Sequence, residues 1–220
     1  MPKSLKTNWR IVVGLLLLGA LPALPAGYIV SLLVQGEPHE FVRPIYSARP
    51  FPIAIHAVAG VVFWLAVPLQ FSTRVRLSRP RFHKGSGRAA MLAALVLGLS
   101  SFWLMIFNPP VAGWLHRATL GITGAGTIFA FAKALCAIKN RKIAQHRAWV
   151  MRAVAIVYGA STTAFVAIPV YLVFGQFPEW MEEVNRLIGL LVNLILVEWW
   201  LRRKSRAARH LDENVYNGIL

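Results

Sequence analysis

Six histidines punctuate this sequence, and four of them, His56, His83, His116 and His146, fall on successive apolar segments or at their entries. Imidazole can move a proton, hold an anion or ligate a metal near neutral pH. His56 and His116 lie about one turn inside the second and fourth segments, at the outer depth. His83 and His146 lead into the third and fifth, at the inner face. Two imidazoles at one depth on facing helices supply the two axial nitrogens of a six-coordinate haem b. The outer pair, His56 and His116, is read either as such ligands or as ordinary inter-helix hydrogen-bonding groups. The inner pair, His83 and His146, is read as a shallow surface cluster that binds lipid phosphates with its arginines, or as ligands of a second haem. Gly60 and Gly87 stand four residues after His56 and His83, on the same helical faces. His39 and His210 lie in a loop and a tail, where solvated side chains are the rule.

Few other ionisable groups fall within apolar surroundings, where a charge needs a partner or a task. Arg152 lies just inside the fifth segment and Glu198 near the inner end of the sixth. Their similar depth predicts an ion pair. Lys133 reaches the headgroups from the inner end of the fourth segment. Gln70 and Asn193 are inter-helix hydrogen-bond candidates. Ser161, Thr162 and Thr163 bond back to their own helix rather than serve as nucleophiles. No catalytic residue stands out: there is no His-Glu-x-x-His, phosphate-loop or dinucleotide glycine motif. Cys136 is the single cysteine, which excludes a disulfide framework, a Cys-x-x-Cys metal clip and covalent haem attachment.

The elements that position these residues are legible from hydropathy. Apolar runs span approximately 9–34, 52–71, 88–107, 111–138, 150–174 and 184–201. About 20 residues of helix cross the hydrocarbon core. Hydrophobic residues make up 57% of the chain and charged residues 15%, well below the quarter or so of a soluble domain. The expected fold is all-α: one bundle of six transmembrane helices over residues 1–204, followed by a short cytoplasmic tail, 205–220. Arginine and lysine crowd the connections before the first run, between the second and third, between the fourth and fifth, and after the last. The other connections carry Glu37, Glu40, Glu179, Glu182 and Glu183. The positive-inside rule then puts both termini in the cytoplasm. The formal charge of +16 reads as topology and as contact with anionic lipids, not as nucleic-acid binding. Ile11–Leu18 imitates a signal core, but Pro22 and Pro25 break its cleavage site and apolar sequence continues to Val34. An uncleaved, proline-kinked membrane helix is expected. Most tryptophans lie near run ends, as an interfacial belt does.

His56-Ala-Val-Ala-Gly60, Pro68-Leu-Gln-Phe71, Arg79-Pro-Arg-Phe-His-Lys-Gly-Ser-Gly-Arg88 and His146-Arg-Ala-Trp-Val-Met-Arg152 resemble, in that order, a bacterial family of predicted membrane proteins, domain of unknown function 2306. Asn193–Glu198 fits its closing helix. The resemblance covers roughly Pro52 to Leu201. It implies a six-helix protein of the bacterial inner membrane, with hallmark positions at His56, His83, Arg88, His146 and Arg152, and it implies no particular activity. More loosely, the order His56, His83, His116, His146 is similar to the ascorbate-reducible di-haem cytochromes b, whose ligands pair helix two with four and three with five. That likeness implies haem b and a membrane oxidoreductase that passes electrons from a quinol or small reductant to an acceptor. His83 and His146, with Arg88 and Arg152, would otherwise hold an anionic electron donor or a lipid. The alternative expectation is a cofactor-free transporter, lipid-binding or assembly protein that uses the same His/Arg cluster and the Arg152–Glu198 pair.

Overall fold

Each run is apolar on nearly every face, and in hydrocarbon such a run must satisfy its own backbone, which a helix does. The computed structural model describes residues 9–36, 44–107, 113–175 and 179–217. Among them the helices are α1 (Trp9–Gln35), α2 (Pro44–Ala48), α3 (Pro50–Gln70), α4 (Thr73–Ser78), α5 (Pro80–Phe107), α6 (Trp114–Lys139), α7 (Ile143–Val157), α8 (Gly159–Phe174) and α9 (Glu179–Asn217). Six segments are long and apolar enough to cross a membrane: α1, α3, α5, α6, α7 with α8, and Glu183–Arg206 of α9.

Two boundaries differ from the hydropathy reading. The third span begins at Pro80, not near residue 88. Proline suits the first helical position, where its missing N–H costs nothing, and the helix then carries the polar stretch Arg81–Arg88 on its first turns. The fifth begins at Ile143, not at residue 150. His83 and His146 therefore stand on the span helices themselves. At the chain's end, α9 runs unbroken to Asn217, so the tail expected from residue 205 starts as a continuation of the last span.

In the bundle, α3 packs along α5, α5 along α6, and α6 along α7. The first helix lies against α3 and α8, bridging the second and fifth spans, while α9 covers the outer side of α8, α7 and α6. Phe63 of α3 stands at the centre, 2% exposed. Its ring meets Phe131 of α6 edge-on at 6.0 Å and Tyr158 at 6.4 Å. Such edge contacts add to the burial of the rings themselves.

Polar side chains fasten the helices. Trp64 Nε1 donates to the Leu16 carbonyl at 2.7 Å and the Tyr158 hydroxyl to the Leu15 carbonyl at 3.1 Å. Both contacts need Gly19, because a Cβ there would come within 2.4 Å of Trp64. The fifth span breaks at Tyr158, between α7 and α8. A break in hydrocarbon strands backbone groups unless a neighbour meets them. Asn193 of α9 does so: Nδ2 donates to the Ala155 carbonyl at 3.2 Å, and Oδ1 accepts from Thr162 at 2.9 Å.

Candidate functional site: a histidine pair at the basic end

Connections rich in arginine and lysine mark one end of the bundle, called here the basic end. There Gln70, the last residue of α3, reaches across to α5. Its Nε2 donates to Ser86 Oγ at 2.7 Å and to the His83 carbonyl at 3.3 Å. Gly87 leaves the space for it, since a Cβ at that position would lie 3.0 Å from Gln70 Oε1. His83 is thereby held on the first turn of α5. Its Nδ1 is buried and makes no hydrogen bond, and Arg76 of α4 and His146 of α7 both lie within Coulombic reach of the ring.

His146 is fixed from the other side. Its Nδ1 bonds the Ala134 carbonyl of α6 at 2.9 Å. A carbonyl only accepts, so the ring donates from Nδ1, and a neutral ring keeps its lone pair on Nε2. The fold thus brings His83 and His146 together, with Arg76 beside them. Arg88 is exposed on α5 and Arg152 is engaged elsewhere.

Arg152 and Glu198 pair as their depths predict. The Arg152 Nε donates to Glu198 Oε1, and Nη2 donates to Oε2 at 3.1 Å. The guanidinium also stacks on Trp149, 4.8 Å from the ring centroid. Arg152 lies deeper than hydropathy suggests. It is the tenth residue of α7, so about 14 Å of helix separates it from the helix start.

At the opposite end His56 Nδ1 bonds Ser100 Oγ of α5 at 2.8 Å, a partner that sequence reasoning missed. A serine in an apolar helix looks the same whether it faces a neighbour or its own backbone. His116 is not level with His56. The contacts that set register between α5 and α6 are Gly98 against Gly124 and Met105 against Gly121. They put Ser100, and so His56, level with residues near Gly124. His116 stands eight residues nearer the start of α6, about 12 Å along the axis. Deeper in the bundle, Phe63 of α3 meets Phe131 of α6 edge-on. The expectation of one depth came from counting each histidine from the start of its own run, which ignores how far the helices are staggered.

Among the described residues no three His, Cys, Asp or Glu converge as a metal ion other than haem iron would require. His39 lies outside the described residues, as do Glu37, Glu40 and Arg43. No side-chain placement is described for His210.

No curated protein and no solved structure matches the chain. The profile of one family, described as predicted membrane protein (DUF2306), matches residues 53–201, which include His56, His83 and His146 and most of the second to sixth spans. With six membrane-crossing helices and the four hallmark stretches inside that match, the chain belongs to the DUF2306 family of predicted membrane proteins.

Proposed function

We propose that the protein binds the phosphate of an anionic lipid headgroup at its basic end, through His83, His146 and Arg76. One observation carries this reading: the buried Nδ1 of His83 has no hydrogen-bond partner while two other basic groups face the same ring. A buried polar nitrogen without a partner costs about 1–3 kcal/mol, and crowding basic groups adds repulsion. A phosphate oxygen relieves both. By the positive-inside rule this end faces the cytoplasm, the leaflet surface where anionic headgroups gather around basic segments. Arg74, Arg79, Arg81, Lys84 and Arg88 then draw the lipid in, and the three clustered groups hold it.

The test is lipid retention. Protein purified from membranes that contain phosphatidylglycerol is analysed by native mass spectrometry. Wild type is expected to keep bound phosphatidylglycerol, and His83→Ala and Arg76→Gln to keep several-fold less. Equal retention in all three would sink the proposal.

A second reading concerns the same pair. A metal-binding histidine usually donates its other ring nitrogen to a carbonyl or carboxylate, and His146 is bonded to Ala134 in that way. His83 and His146 would then hold one haem b, which would supply one-electron chemistry between a quinol or small reductant and an acceptor. The protein's share is to hold the two imidazoles and to set the ring of His146. An absorption spectrum of haem-replete protein, oxidised and then reduced with dithionite, separates the readings. A Soret band that disappears in His146→Ala would replace the lipid reading with the haem reading.

A further inference from the structure

The two histidines of the basic end differ in what they can offer a ligand. The Ala134 carbonyl takes the hydrogen on His146 Nδ1 at 2.9 Å. The neutral ring is thereby fixed in one tautomer, and its other nitrogen, Nε2, presents a lone pair and no hydrogen. His83 is not fixed in that way. Its Nδ1 has no hydrogen-bond partner, so it can carry the ring hydrogen and donate it. Arg76 has only hydrogens to give.

These groups come from α4, α5 and α7, and Arg76 and His146 both stand within Coulombic reach of the His83 ring. Together they offer two donors and one acceptor. A phosphodiester headgroup has two free oxygens and, near neutral pH, no hydrogen on either. Both oxygens can accept, but neither suits the lone pair of His146. A phosphomonoester has three free oxygens, and its second pKa is about 6, so keeping a hydrogen on one of them costs little. Two oxygens then accept from Arg76 and His83, and the third donates to His146.

We propose that the cluster selects a phosphomonoester lipid over a phosphodiester lipid, with a protonated phosphate oxygen donating to His146 Nε2. The selectivity presupposes the phosphate site proposed above and names the headgroup it favours. Charge alone would also favour a monoester, which can carry a second negative charge, and the two causes separate by variant.

Full-length protein is equilibrated near neutral pH with equal amounts of phosphatidic acid and phosphatidylglycerol of the same acyl chains, and bound lipid is counted by native mass spectrometry. Wild type is expected to hold roughly tenfold more phosphatidic acid, the worth of one hydrogen bond to a charged group. His146→Gln, whose amide can donate as well as accept, should bring the two lipids near parity. Arg76→Gln should weaken both and leave their ratio unchanged, because a guanidinium donates to either phosphate. Equal retention of the two lipids by wild type, which needs no variant, would overturn the selectivity and leave the phosphate site standing. So would a ratio that falls in Arg76→Gln as far as in His146→Gln. Retention of neither lipid by wild type would remove both. Excess inorganic phosphate has the same chemistry without acyl chains and should displace little lipid; full displacement would assign the cluster to a soluble phosphate and overturn the lipid as its ligand.

Discussion

Arg152 bears the largest local electrostatic demand, because its charge lies more than two turns inside a membrane helix. Its side chain is 26% exposed and that of Glu198 is 35% exposed, so the pair sits on the outside of the bundle, at the α7–α9 seam. A lone charge at that depth is expected to cost about 2–3 kcal/mol. Glu198→Gln and Arg152→Met should each destabilise the protein by about 2 kcal/mol, and the double variant Arg152→Met/Glu198→Leu should recover most of the loss, because no charge is then left unpaired. Thermal or denaturant unfolding in matched nanodiscs measures this; additive losses in the double variant would show that the two residues act separately. The pairing itself was legible in the sequence, since both residues interrupt apolar runs near the same face. Its depth was not, because Gln145, His146 and Arg147 mask the first turns of α7 in any hydropathy profile. The same masking put His83 outside the third span. Ser100 was invisible for a different reason: its role depends on which helix α5 faces, and hydropathy carries no such information.

At the scale of the helix, small residues decide how close the spans come. Gly98 and Gly124 bring α5 and α6 together, and a Cβ on Gly124 would lie 2.9 Å from the Gly98 carbonyl oxygen. Backbone cannot swing away as a side chain can. Gly124→Ala should therefore destabilise the bundle by about 1–3 kcal/mol, as overpacking does. Gly14→Ala on α1 meets no atom within 4 Å and should be neutral or slightly stabilising, since alanine favours a helix. Equal effects of the two substitutions on the unfolding midpoint would refute the assigned α5–α6 contact. Sequence alone made the number of spans readable, because length and hydropathy suffice for it. The stagger between helices was not readable. Glycines that set it look no different from glycines that touch nothing, so the offset between His56 and His116 could not be read from their distances to the run starts.

On the scale of the whole molecule, basic residues from separate segments gather at one end of the bundle. The second-to-third connection carries Arg74, Arg76 and Arg79, and the fourth-to-fifth carries Lys139, Arg141 and Lys142. An even number of spans brings the α9 extension, with Arg202, Arg203, Lys204 and Arg206, out at this same end. Translocating any one of these clusters would oppose the others, so the rule of positive loops predicts the basic end inside and the His56 end outside. Chemical labelling decides it. Cys136 is exposed on α6 and must first be replaced by serine. In that background a cysteine at Ser78 or at Asn140, in the two basic connections, should react with a membrane-impermeant maleimide in inverted vesicles and remain unlabelled in intact spheroplasts. A cysteine at Ser47, in α2 at the far end, should show the reverse. The opposite pattern would place His83, His146 and Arg76 on the outer surface, away from the cytoplasmic leaflet that the proposed lipid site requires.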